Sequence, residues 1–246
     1  MAQARRYHAP MRPLAGLTSI VVGLATVLAL TALVVTPFLS PAWVSFEQDR
    51  SNAEAWTGFN ATELISATNA ILADLVVGPP DFDVEVGGTP VLTPEERSHM
   101  RDVRGVFAGF YLLAGIALLV LLGAWFAARR ADGSRSGWSR SRFWRAVRGG
   151  AVALAGLIAV AGAVAAVAFD TAFEVFHQLF FAAGSYNFDP QRYRLTQLFP
   201  DAFWSETSIV VGLAILAAAV VLALVATWRL AGARQPGITA MAELGR

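Results

Sequence analysis

The chain contains neither cysteine nor lysine: all 19 basic residues are arginine, and only three histidines occur among its 246 residues. Without cysteine, disulfides, thiolate nucleophiles and thiolate metal sites are excluded. No glycine-rich phosphate loop, Gly-x-Ser-x-Gly elbow or dinucleotide fingerprint is present, which removes the common nucleotide-dependent and serine-nucleophile enzymes. Charge is missing over long stretches as well. Four runs, at about 14–36, 106–128, 150–169 and 208–227, carry no Asp, Glu, Lys or Arg. Each is long enough to cross a hydrocarbon core of about 30 Å as a helix rising about 1.5 Å per residue.

With 56% apolar residues, these runs predict an all-α membrane protein. The expected architecture is a single membrane domain over 1–246, with four transmembrane helices and an outward-facing cap of short helices and a candidate small hairpin. The first run follows Arg5 and Arg6 and has the flanks of a signal peptide. Its length and the lack of a small-x-small cleavage site favour a retained span. Orientation follows from arginine. The N-terminal tail, the 129–149 loop and the C-terminal tail hold 13 Arg against Asp132 and Glu243, a net +11. The 37–105 and 170–207 loops hold six Arg and 16 acids, a net −10. The positive-inside rule therefore predicts cytoplasmic termini and a cytoplasmic 129–149 loop, with the two acidic loops outside. Trp138, Phe143 and Trp144 interleave the arginines of that loop, and an interfacial anchor explains them better than nucleic acid does.

The first outer loop is too long for a connector. Asn60-Ala-Thr-Glu63 has the form of a capping box, predicting a helix over about 61–75 that presents Leu64, Ile65, Ile71, Leu72 and Leu75. The same Asn60-Ala-Thr62 matches a glycosylation acceptor, but the cap reading is preferred. Gly78-Pro-Pro80 stops the helix, and Gly87-Gly88 between 82–86 and 89–92 signals a hairpin. Thr93-Pro-Glu-Glu96 is a second helix start, after which nothing breaks the chain until the second span ends. His99 then lies less than two turns outside the membrane, with Glu95, Glu96 and Asp102 on its helical face.

The second outer loop repeats the theme. Asp170, Glu174 and His177 follow one helical face just beyond the third span, on an expected helical extension of that span, among Phe173, Phe176, Phe180 and Phe181. Tyr186-Asn-Phe-Asp-Pro190 reads as a turn. Residues 195–199 with Phe203 and Trp204 are expected to form an interfacial segment leading into the fourth span. Gly150, Gly156 and Gly162 are expected to let the third span pack closely.

Two histidines beside carboxylates at one membrane boundary suggest acid–base chemistry on something held in lipid. The carboxylates are expected to fix the imidazole tautomers and stabilise their charged forms. A metal reading stands beside it, because Glu96-x-x-His99 and Glu174-x-x-His177 have the spacing of dinuclear carboxylate sites. Those sites need further Glu from two other helices, and the first and fourth spans have none. A mononuclear zinc site of two His and a Glu remains an alternative.

Glu96-Arg-Ser-His-Met-Arg-Asp-Val103 resembles the E-x-x-H-M-x-D-V signature of a bacterial four-span membrane family that includes the lipoprotein intramolecular transacylases. Phe176-His-Gln-Leu-Phe-Phe181, Tyr186, Asp189-Pro190, Leu198-Phe-Pro200 and Phe203-Trp204 resemble its second block, with Tyr186 standing where the family pattern has Trp. The resemblance covers both outer loops and the order of spans. It implies transfer of the sn-2 acyl chain of a diacylglyceryl-modified N-terminal cysteine to that cysteine's α-amino group, leaving a lyso-form lipoprotein. It places the family's two functional histidines on His99 and His177.

The resulting expectation is a membrane acyltransferase in the bacterial cell membrane, working at the outer leaflet. His99 and His177 are the candidate catalytic residues, supported by Glu96, Asp102, Glu174 and Tyr186, with no cofactor and no metal. The expected partner is a membrane-embedded lipoprotein or lipid substrate in the bilayer, with no nucleic acid. The alternatives are a metal-dependent hydrolase or oxidase, and a non-enzymatic accessory protein that binds lipid or a partner.

Overall fold

Long uncharged runs become long helices. A computed structural model describes residues 12–131 and 138–232, and four helices within them are long and apolar enough to cross a membrane. These are α1 (Arg12–Val35), α5 (Pro94–Arg130), α6 (Arg140–Val167) and α9 (Asp201–Gly232). Leu112, Leu119, Leu157, Val160, Leu213 and Leu224 on these helices are all exposed, as side chains facing lipid tails should be. Between them lie α2 (Pro41–Arg50), α3 (Ala53–Thr57), α4 (Ala61–Val76), a hairpin of β1 (Glu85–Val86) and β2 (Thr89–Pro90), α7 (Phe169–Phe180) and α8 (Arg194–Leu198). The chain is thus a helical, multi-pass membrane protein. His8 and most of the two tails lie outside the described residues.

Two compact units are formed, to both of which the four long helices contribute a segment. The first takes the described residues within 1–29, 115–154 and 219–246. Its core is Val22, Ala128, Phe143, Ala146, Val147 and Ala226, flanked by Trp125, Trp138 and Trp144. Arg129 lies over Trp125 at 5.4 Å and Arg229 over Trp228 at 5.1 Å, so arginines and tryptophans here act as a paired belt. Gly150 meets the backbone of Gly23 so closely that a Cβ would collide with it. The small-residue expectation holds at Gly150 alone. Gly156 and Gly162 have open space where a side chain would stand.

The second unit, 30–114 with 155–218, holds both histidine-bearing segments. Its core joins Leu64, Ile71, Leu75, Phe82, Met100, Leu195 and Leu198. Both expected capping boxes form: Asn60 with Glu63, each bond 3.0 Å, and Thr93 with Glu96 at 2.7 and 3.3 Å. In the hairpin Glu85 pairs Pro90 and Val86 pairs Thr89. Gly87 and Gly88 both have positive φ, at 59° and 77°, the conformation a two-residue turn of this hand requires. Trp43 donates to Thr207 at 3.3 Å, and Arg50 meets Glu206 at 2.6 Å, fastening α2 to the start of α9.

Two expectations need correction. Residues 195–199 do not form an interfacial strip: Leu195 and Leu198 are core residues of this unit. Buried Gln48 explains why that turn is drawn inward, since it donates to the Leu198 carbonyl at 2.9 Å and accepts from Thr68 at 3.0 Å. The third span does not run on into the His177 segment either. α6 ends at Val167, Ala168 takes φ −152° and ψ 56°, and α7 starts afresh.

Candidate active site

α5 carries His99 out of the membrane. Its 37 residues make a rod of about 55 Å, well beyond a hydrocarbon core of about 30 Å. The charged first turns, through Arg104, therefore project past the hydrocarbon core. His99 sits in that projecting part yet is only 6% exposed. α7 carries His177, which is half-buried. The two imidazole rings lie 6.3 Å apart between centroids and are inclined by 26°.

Aromatic rings enclose the pair. Phe181 and Phe188 lie 4.8 and 5.6 Å from His99, while Phe173 and Tyr186 lie 4.2 and 5.0 Å from His177. Phe181 also lies 5.6 Å from His177, so one ring closes the space beside both. Such walls exclude water, and that changes proton affinities. Burial, and then the neighbouring His177, lower His99 to a pKa of about 4, against the opposing pull of Asp102. His99 is therefore a neutral imidazole at neutral pH. Its Nδ1 is buried and has no hydrogen-bond partner among the described residues. In His177 Nδ1 lies 2.8 Å from the Phe173 carbonyl one turn back. A carbonyl oxygen only accepts, so Nδ1 carries the hydrogen and the lone pair of the neutral ring is on Nε2.

The carboxylates are not where their spacing suggested. Glu96 is fully buried, but it accepts from Thr93 N at 2.7 Å and from Leu195 N at 2.6 Å, not from His99. A capping-box side chain turns back toward the helix start, and His99 lies one turn the other way. Glu174 accepts from Tyr186 and from Gln178, each at 2.9 Å, and these bonds hold its pKa below the usual carboxylate value, that of Gln178 first. Desolvation, followed by the Glu174 bond, raises the Tyr186 phenol. Asp102 is exposed and acts on His99 through charge alone. The tautomer-fixing role expected of a carboxylate thus belongs at His177 to a backbone carbonyl. Among the described residues no three His, Asp or Glu side chains converge as a metal site.

Phe181 and Phe188 were legible only as interfacial or turn residues, and their contact with His99 requires α5, α7 and the turn after α7 to meet. The Leu195 amide carries no sequence signal at all.

The model of the family described as lipoprotein intramolecular transacylase Lit matches residues 17–204. Among solved structures, the membrane-integral lipoprotein intramolecular transacylase Lit of Bacillus cereus matches with a TM-score of 0.70 at 17% identity, covering 90% of this chain and 98% of that one. Structures of the same Bacillus cereus protein with a histidine replaced by arginine or by alanine match with TM-scores of 0.67 and 0.68, each again at 17% identity and covering 90% of this chain, and 94% and 96% of theirs. At that identity the likeness is one of fold. No curated protein sequence matches. The family match extends over both histidine segments and the spans that carry them, and the chain belongs to the lipoprotein intramolecular transacylase family.

Proposed function

We propose that this chain moves an acyl chain from the glyceryl ester of a diacylglyceryl-cysteine to the N-terminal amine of the same lipoprotein, with His99 and His177 as the catalytic pair. The observation that carries the reading is two imidazoles 6.3 Å apart in an aromatic enclosure, in a member of this family.

In this proposal the two histidines take different roles. Nε2 of His177 is the free lone pair, so it takes the proton as the amine nitrogen attacks the ester carbonyl carbon. The carbonyl becomes an oxyanion. His99 stays neutral and gives an N–H to it, since a group whose pKa is about 4 donates without carrying charge or surrendering its proton. The intermediate collapses by breaking the bond to the glyceryl oxygen, which receives the proton from His177. An ester and an amine become an amide and an alcohol, with no covalent enzyme intermediate. Both reacting groups belong to one molecule, so positioning supplies much of the acceleration. Tyr186 and Glu174 hold the turn after α7 against the helix that bears His177. Glu96 holds α8 to the start of α5, and Asp102 tempers the lowering of His99.

The orientation we propose puts the termini in the cytoplasm of a bacterial cell and the histidines at the outer leaflet, on the strength of the arginine asymmetry. A Thr89→Cys variant should react with an impermeant maleimide on whole cells, and Ser139→Cys only after permeabilisation. The chemistry is tested by mass spectrometry of a diacylglyceryl lipopeptide incubated with purified protein. Conversion to the N-acyl lyso-form is expected from the wild type and from neither His99→Ala nor His177→Ala. Full conversion by either variant refutes the pair.

A further inference from the structure

α7 has twelve residues and not one of them is buried. A helix that short is marginal in water by itself, and this one has a sharply divided surface. Val175, Phe176, Leu179 and Phe180 are all exposed large apolar residues, with Leu179 74% exposed. At helical spacing they share one side. Asp170, Thr171, Glu174 and Gln178 occupy the other, and His177 stands on the border between the two.

What covers the apolar side is indicated by where the helix begins. Exposed Leu157, Val160, Val164 and Val167 carry the lipid-type surface of α6 to its last residue. Only Ala168 separates that residue from α7. One residue cannot lift a following helix away from the level at which the span ends. α7 therefore begins at the membrane boundary, with an apolar stripe and a polar stripe along a short helix, which is the build of an in-plane interfacial helix. Two phenylalanines on the apolar side suit that depth.

We propose that α7 lies along the surface of the leaflet nearest the histidines, with Val175, Phe176, Leu179 and Phe180 immersed among acyl chains and Glu174 and Gln178 in the headgroup layer. His177 is then held at the level where acyl chains join their glycerol backbone. A lipid-borne ester reaches it by moving sideways within the leaflet. The lipid contact stands independently of the proposed acyl shift, and the lateral route rests on it.

A chain without cysteine allows one spin label per variant to be placed by Cys substitution at Glu174, Val175, Phe176, Gln178, Leu179 and Phe180. The full-length protein is reconstituted in phosphatidylcholine–phosphatidylglycerol vesicles. Collision with oxygen, which concentrates in lipid, is compared with collision with a water-soluble nickel chelate. Oxygen should dominate at Val175, Phe176, Leu179 and Phe180, and the chelate at Glu174 and Gln178, so that the ratio inverts around the helix. Chelate dominance at Val175 and Leu179 overturns the proposal in favour of a water-facing helix. Low access to both reagents there overturns it in favour of a protein cover, such as a second copy. The readout needs no turnover, so a failure of the acyl-shift reading leaves it standing.

Discussion

The buried state of His99 makes stability depend on pH in a particular window. Unfolded histidine takes a proton at about pH 6.5, whereas burial lowers the folded value to about 4. Above pH 6.5 both states are neutral at this position and nothing is at stake. As pH falls from 6.5 to 4 the unfolded chain binds a proton that the folded one refuses, so unfolding is favoured progressively. Below pH 4 both are protonated and the loss levels off. The difference between the two values corresponds to about 3 kcal/mol. For a small domain that is a large part of total stability. The perturbation is His99→Gln, which keeps a polar side chain of similar bulk and cannot titrate. Thermal unfolding of wild type and variant, in detergent buffered in steps from pH 7.5 to pH 4, should give curves whose midpoints separate steadily as the pH falls. The wild type should lose more. Parallel midpoints through that window would show that His99 is hydrated in the folded protein, and the neutral-donor role drawn from its burial would go with it.

Glu96→Ala removes the acceptor of two backbone N–H groups, at Thr93 and Leu195. It should cost about 2–5 kcal/mol, seen as a lower thermal midpoint and faster amide exchange at 194–198; Glu96→Gln should cost less, and equal loss in both would place the effect elsewhere. Gly150→Ala drives a Cβ into the Gly23 backbone and should destabilise by about 1–3 kcal/mol. Gly156→Ala, with open space around it, should be neutral or stabilising by up to about 1 kcal/mol; calorimetry that ranks the two alike would argue against the close approach. Tyr186→Phe loses the bond to Glu174 but keeps the ring beside His177. Acyl transfer should fall more in Tyr186→Ala than in Tyr186→Phe, and the reverse order in single-turnover rates would assign the phenol hydroxyl a direct part.

Local chemistry was the most readable layer of this chain. The boxes at Asn60 and Thr93, the stop at Gly78 and the turn at Gly87-Gly88 depend on residues within four positions of one another, so pattern and structure coincide. The four spans were readable because length and lack of charge suffice. Glu96 shows where such reading fails. Its sequence context supported two roles, cap for Thr93 and partner for His99, and a side chain that turns toward one end of a helix cannot serve the other. The bond from Leu195 to Glu96 joins positions 99 residues apart, and no periodicity encodes it. The break at Ala168 lacks Gly or Pro, so nothing local announced that the His177 segment would be a separate helix. The meeting of the two imidazoles depends on that separate helix and on the N-terminal end of α5 together.

α5 is a single unbroken helix from Pro94 to Arg130, and His99 stands seven residues before its uncharged run begins. At helical rise that is about 10 Å of rigid rod. The height of His99 above the hydrocarbon is thus a built-in length, like the mark on a gauge, while the bilayer's thickness belongs to the cell. In a membrane too thick for the uncharged run, adaptation must come from the lipid, because α5 has no joint at which to yield. Turnover in vesicles should therefore peak at one acyl-chain length and decline on either side of it. Changes in the fatty-acid composition of its membrane would then set the pace of this protein without any effector binding to it.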